Sequence, residues 1–235
     1  MNIIFILVIV LIIIFINFKS ISKFKSTFSI KESLYNGDKW ARYRLGDVFV
    51  MEKNSRFYNP AFGENLLYHL TDFPDTIAYE YMKNNITGVP RNTPLLQEII
   101  NKRKQKDNKS FDRTLVLHIR VGDVLCKKTW KGPEGPDFYS KKGNNIWWEN
   151  VVKYIKENDI NNVVILSGTH FKDCLEESAD YIIDRTEFLT NKTNVSIEYR
   201  LGNSPDDDLL LVSNVKHFIT TGGEYGNLLK TVKLK

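Results

Sequence analysis

In the stretch "VLHIRVGDVL", residues 116–125, an apolar run ends in His118 and Arg120, and Gly122 and Asp123 follow at once. Residues two apart on an extended strand share a face, so the imidazole and the guanidinium are expected to leave the strand on the same side. Arginine presents a planar fork of N–H donors that stays charged, a match for phosphate or carboxylate oxygens. Near the other end of the chain, "KHFITTGGEYGNLL" holds Thr221, Gly222 and Gly223 just ahead of a helical pattern, with Tyr225 inside it. A small-residue turn at a helix N-terminus offers free backbone N–H groups and the favourable end of the helix dipole, which also suits phosphate. Between them, "SPDDDLLLVSN" opens a helix with Ser204 as cap, Pro205 at its first position and Asp206, Asp207 and Asp208 in its first turn. Singly, each signal is commonplace: a strand-end histidine is often structural, a Gly-Gly is often only a turn, and acids at a helix start are often dipole partners. Their weight comes from falling together at the ends of strands of one sheet.

The surrounding pattern supplies such a sheet. "TLVLHI" and "NNVVILSG" are short continuous apolar runs, as in strands covered on both faces. "NVSIEYRL" alternates as a strand does, and "KHFITT" is a further strand. Helical stripes separate them: Trp147, Trp148, Val151, Val152 and Ile155 in one, and Leu175, Ala179 and Ile182 in another, with Asp173 and Glu176 as a capping-box-like start. Strands alternating with helices imply crossovers and a mostly parallel sheet. Ligands of such sheets lie beyond the carboxyl ends of the strands. There His118, Arg120, Gly122 and Asp123 would meet Ser167, Gly168, Thr169 and His170 of a second strand and Thr220–Gly223 of the last. The site reads as a pocket for a nucleoside diphosphate.

Upstream the pattern is less regular. "DVFVMEK" at 47–53 is expected as a strand, residues 73–84 as a helix, and residues from Thr93 as a second helix with Thr93 as N-cap and Pro94 at its first position. The basic run "NKRKQKDNK" lacks aromatic neighbours and reads as a solvated helix end, so no nucleic-acid partner is expected. The net charge of +5 suits an anionic ligand or a membrane surface. Cys126 and Cys174 are too few for a disulfide framework or a zinc site, and are expected as unlinked thiols. Residues 3–16 contain no polar side chain, and with Phe18 the segment reaches the length of a bilayer core. It is read as a single-pass membrane anchor. Lys19, Lys23 and Lys25 behind it favour a cytoplasmic domain by the positive-inside rule, and a Golgi- or ER-type orientation is the other choice.

"HIRVGD" resembles the H-x-R-x-G-D motif of the α1,2-, α1,6- and protein O-fucosyltransferase superfamily. The stretch from Asp206 to Leu229 is similar to that superfamily's C-terminal pattern, in which an acidic residue opens a helix and a strand then enters a small-residue loop. The resemblance spans residues 111–235. It implies an α/β, GT-B-like fold of facing Rossmann-type halves, a GDP-fucose donor, a glycan or protein acceptor, inversion, and no metal or other cofactor. Arg120 would grip the β-phosphate, His118 and Gly122 would line the donor pocket, Asp208 would accept the N–H edge of guanine, and Thr221, Gly222, Gly223 and Tyr225 would form the phosphate loop. The resemblance carries over no general base. Asp123 and Glu224 are candidates by location, and Asp47, in the faint "LGDVF" echo of the Gly-rich N-terminal signature, from the other side.

The expected layout is an anchor at 1–18, a stem at 19–30, a reduced acceptor-side domain at 31–110 and a nucleotide-sugar domain at 111–235. The expected function is a membrane-anchored glycosyltransferase, with a non-catalytic, membrane-tethered nucleotide-sugar binder as the alternative.

Overall fold

The computed structural model describes residues 29–35, 45–50, 73–86, 88–103, 111–126, 146–169, 172 and 174–233. Four strands, β1 (Thr114–His118), β2 (Asn162–Ser167), β3 (Ser196–Leu201) and β4 (His217–Thr220), form one sheet in the order β3-β2-β1-β4. Every pairing is parallel. The helices are α1 (Leu45–Val50), α2 (Ile77–Asn84), α3 (Thr93–Arg103), α4 (Ile146–Glu157), α5 (Leu175–Lys192), α6 (Pro205–Asn214) and α7 (Gly223–Lys233). A 3-10 turn covers Gly122–Val124.

The two central strands β1 and β2 are buried almost throughout because the sheet is covered on both faces, whereas the edge strand β3 alternates. Leu115, Leu117, Val163 and Ile165 turn to one core with Trp148, Val151, Val152 and Ile155 of α4 and Ala179 and Ile182 of α5. Val116, Val164 and Leu166 turn to the other, with α1, α2, α3, α6 and α7. The alternation is the period of two that a strand imposes. After β3 the chain crosses back to lay β4 on the far side of β1. The strand order therefore reverses between β1 and β4, and it is at the carboxyl ends of such a switch point that ligands of open parallel sheets sit.

The α2–α3 hairpin belongs to the same core as the sheet. Ile77, Tyr81, Leu96, Ile99 and Ile100 are buried with Val116 and Leu209. Its outer side is closed by Arg103, which donates to Glu80 from Nε at 2.9 Å and Nη2 at 2.7 Å.

Several sequence expectations are corrected. Residues 45–50 are helical rather than a strand, because Val48 and Phe49 pack into the helical face of the core and Gly46 lies directly on the α7 backbone; residues 51–53 lie outside the described residues. The cap of α3 is Asn92, whose Oδ1 accepts from the Leu95 N–H at 3.3 Å, and Thr93 is already helical. Helix α5 starts from Cys174 in the left-handed conformation, φ 62°, without a side-chain cap, and Asp173 lies outside the described residues. Cys126 and Cys174 are joined in a disulfide across 48 residues. Cys126 follows the Gly122–Val124 turn and Cys174 starts α5, and the packing of that turn on α5 brings them together, which their sequence spacing does not reveal.

The larger correction concerns the architecture. Among the described residues there is one parallel sheet and no second one facing it. Among them, no helix is long and apolar enough to cross a membrane, so the expected anchor, the membrane as partner and the single-pass location have no element to carry them. The apolar run 1–18 itself lies outside the described residues.

Candidate functional site

Strand β1 ends at the switch point, and its last residues are fixed by β4. The Thr221 N–H donates to the His118 carbonyl at 3.0 Å, and the Arg120 N–H donates to Thr221 Oγ1 at 2.8 Å. The pairing of the two strands thus continues through a side chain where the ladder stops. His118 and Arg120 both face α7, as two residues of one strand face must: a Cβ on Gly226 would lie 3.1 Å from His118 Nδ1, and one on Gly223 would lie 2.9 Å from Arg120 Cδ. Gly222 and Gly223 have φ of 103° and 83°, a conformation glycine adopts without strain. The arginine stem therefore lies across the glycine turn that starts α7.

His118 is buried and neutral. Burial pushes its imidazole down to about 4, and the nearby Arg120 charge acts in the same direction. Its Nδ1 lies 2.9 Å from Thr220 Oγ1, which in turn accepts from the Gly222 N–H at 2.9 Å. The hydroxyl satisfies all three groups when its own proton goes to Nδ1, which puts the imidazole proton on Nε2. Tyr225 packs edge-on to the ring at 5.8 Å and donates its hydroxyl to the Pro205 carbonyl at 2.7 Å, tying α7 to the start of α6.

The turn behind Arg120 is held from the other side. The Gly122 N–H donates to Ser178 Oγ at 3.1 Å, Ser178 Oγ donates to the Cys174 carbonyl at 2.6 Å, and the disulfide returns from Cys174 to Cys126. A Cβ on Gly122 would lie 2.5 Å from Thr169 Oγ1, and φ there is 79°. Asp123, in that turn, accepts from Arg120 Nη2 at 2.9 Å in a half-exposed ion pair. Its carboxylate orients the guanidinium in this arrangement.

The three acids of α6 have three different environments. Asp206 Oδ2 accepts the Ile77 N–H at 2.8 Å, at the start of α2, and lies 3.8 Å from Arg103. Asp207 is exposed. Asp208 is 7% exposed, and its Oδ1 has no hydrogen-bond partner. Burial raises its carboxyl to about 7, against the pull of Arg200, with the Asp207 charge adding to the rise.

Of the residues expected at the site, the structure brings His118, Arg120, Gly122, Asp123, Thr221, Gly222, Gly223 and Tyr225 together at the switch point. Asp208 stands at the neighbouring helix start and faces Arg200 rather than His118 or Arg120. Glu224 is exposed at the start of α7. Asp47 belongs to the short α1, and His170 lies outside the described residues. Sequence reasoning missed Arg200. The strand alternation of "SIEYRL" puts it on the face opposite Ile197 and Leu201, which was the available signal. Among the described residues no three His, Cys, Asp or Glu side chains group as a metal centre.

The chain matches no known protein family, no curated protein and no solved structure. GDP-fucose as donor, a glycan or protein acceptor, and either form of the membrane-bound function therefore draw no support from relatives. Among the described residues no helix is long and apolar enough to cross a membrane, and the expected anchor at 1–18 lies outside them. What stands is an α/β domain with a parallel four-stranded sheet, whose strand order reverses at β1 and β4.

Proposed function

We propose that the carboxyl edge of β1 and β4 binds the diphosphate of a nucleoside diphosphate, and that the domain serves glycosyl transfer in the manner of the fucosyltransferases its motif resembles. One observation carries the reading: the Arg120 side chain lies on Gly223, so a guanidinium fork and the N–H groups of a helix start converge on one spot. The first N–H groups of a helix have no partner within it, and with a fixed arginine they make a preorganised site for spread negative charge. Cleavage of a glycosyl–diphosphate bond develops its charge on the departing diphosphate, where such donors contribute most. Asp123 acts in this reading as a positioning residue, holding Arg120 over the turn until phosphate oxygens replace its carboxylate.

The test is calorimetric titration of the whole chain with GDP, UDP and ADP, alongside Arg120→Ala. The wild-type chain is expected to bind, and Arg120→Ala to lose binding without a change in melting temperature. Equal binding by Arg120→Ala overturns the reading.

A further inference from the structure

The sequence holds four Asn-x-Ser/Thr triplets without a central proline, at Asn85, Asn108, Asn191 and Asn194. Such a triplet is the acceptor pattern for an N-linked glycan. It is used only in a chain that enters a secretory compartment, and only where a bulky, hydrated sugar can stand on the folded surface. In an asparagine-rich chain the pattern also arises by chance, so both conditions have to come from the structure.

The disulfide meets the first. Cys126 and Cys174 are joined, and such bonds form and persist in oxidising compartments, the secretory ones among them. The second condition sorts the four asparagines. Asn85 has no room for a glycan in this fold: it is 7% exposed, its Nδ2 donates to the Val89 carbonyl at 2.8 Å, and its Oδ1 accepts from Asn92 Nδ2 at 3.2 Å. Asn108 lies outside the described residues. Asn191 and Asn194 stand at the corner where α5 ends and the chain enters β3.

That corner fixes the direction of Asn194. Thr193 leaves the helix in an extended conformation, φ −140° and ψ 167°, so the side chains that follow alternate. Thr193 and Val195 are buried, and Asn194 and Ser196 are exposed. The inward side is held firmly. Thr193 Oγ1 donates to the Leu189 carbonyl at 2.7 Å, and Val195 belongs to the α4–α5 core. The Ser196 N–H donates to the Asn161 carbonyl at 2.9 Å, and its hydroxyl donates to Asn162 Oδ1 at 2.8 Å. Asn191 is exposed as well, but it sits in the last turn of α5 with Glu187 and Phe188 one helical turn away on the same surface. Ser196 pairs with Asn162, and Asn162 with Thr114, so the corner lies at the amino end of the sheet. A glycan there stands at the far end of the strands from Arg120 and Gly223.

We infer that Asn194 is an N-glycosylation site. The donor is an oligosaccharide carried on a lipid diphosphate. The bond from its anomeric carbon to the diphosphate oxygen breaks, and the lipid diphosphate leaves with the electron pair. A new bond joins the anomeric carbon to Asn194 Nδ2, which gives up one proton, and nothing is oxidised or reduced. The Ser196 hydroxyl of the acceptor pattern is taken by Asn162 once β3 pairs with β2, so the transfer precedes that pairing. The inference is independent of the nucleotide reading.

The experiment takes the full chain from its native source, treats it with peptide N-glycosidase in oxygen-18 water and maps the tryptic peptides by mass spectrometry. The enzyme leaves a labelled aspartate wherever a glycan stood. Cleavage after Lys192 puts Asn191 on peptide 186–192 and Asn194 on peptide 193–200, so the two are read separately. Label at Asn194 and none at Asn85 is the expected result. An unlabelled peptide 193–200 overturns the proposal, whichever other asparagine is labelled, and label at Asn85 overturns the burial argument on which the choice of Asn194 rests. A non-reducing map of the same sample reads the Cys126–Cys174 bond. An unlabelled Asn194 beside an intact bond puts the error in the site, and one beside free thiols puts it in the compartment; either result overturns the proposal.

Discussion

The backbone N–H of Arg120 and the side chain of Thr221 are joined by a 2.8 Å hydrogen bond, across 101 residues of sequence. Thr221 is 6% exposed, so the donor it satisfies has little access to water. Replacing Thr221 with valine keeps the volume and removes the acceptor. The expected result is a loss of about 1–3 kcal/mol of stability, the cost of a buried unpaired N–H, measured by urea unfolding. Phosphate-ligand affinity should fall as well, since the same bond aligns Arg120 with the glycine turn. Thr221→Ser, which restores the hydroxyl, should recover most of both.

Gly226 allows α7 to approach β1 and β4. A Cβ there would run into Thr220 Oγ1 and lie 3.1 Å from His118 Nδ1. Gly226→Ala is therefore expected to destabilise by about 1–3 kcal/mol, as overpacking does, although alanine is the better helix former. Gly222→Ala meets nothing within 4 Å, and its cost should come from φ alone. Thermal unfolding of the two variants separates close approach from backbone strain.

Asp208 gives the stability a definite dependence on pH. Its folded carboxyl, at about 7, lies above the ordinary value of 3.8. The folded chain thus holds this proton through a window where the unfolded chain has lost it, and the stability the group contributes is lost as pH rises through about 7. His118 acts in the opposite sense: with its folded value lowered to about 4, its contribution is lost as pH falls from about 6.5 toward 4. Asp208→Asn should come closest to wild type below the unfolded value of 3.8, where the carboxyl is protonated in both states, and be relatively more stable at pH 8, above the folded value of about 7. Urea unfolding at pH 3.5 and pH 8 checks it. A difference that stays constant between them would mean the carboxyl does not titrate in this window.

The Cys126–Cys174 bond closes a loop across 48 residues. Chain-entropy reasoning for a loop of that length gives about 4 kcal/mol of stabilisation at most, with about 2–4 typical. Cys126→Ser with Cys174→Ser is expected to lose stability on that scale. Weaker phosphate binding should accompany it, because the disulfide and Ser178 together pin the turn that carries Arg120 and Asp123. Disulfides persist in oxidising compartments, so non-reducing peptide mapping of protein from its native source is the direct check of the bond.

Much of the sheet was legible because its signals are local. The runs at 115–117 and 163–166 are apolar without interruption, and the stripe Trp148, Val151, Val152, Ile155 repeats with the helical period, so β1, β2 and α4 follow from residue order alone. Gly222 and Gly223 marked the turn into α7 for a similarly local reason. Other features depended on distant partners. Residues 45–50 have a strand-like composition, and only contact with α2 and α7 makes them helical. The acids of α6 look equivalent in sequence, yet Asp206 is taken by the start of α2, more than a hundred residues upstream. Arg200 looks like any polar residue of an alternating strand until α6 brings Asp208 against it. The cysteine pairing was missed for the same reason.

The reversal of strand order between β1 and β4 also governs when the candidate site can first exist. Its two sides, His118 and Gly223, leave the ribosome about a hundred residues apart, an interval of roughly 5–20 s at common elongation rates. Through that interval β1 and β2 can already pair, while the β4 side of β1 stays an open apolar edge, the kind that recruits a strand from another chain. The newborn protein is therefore most exposed to mispairing just before β4 docks and completes the sheet.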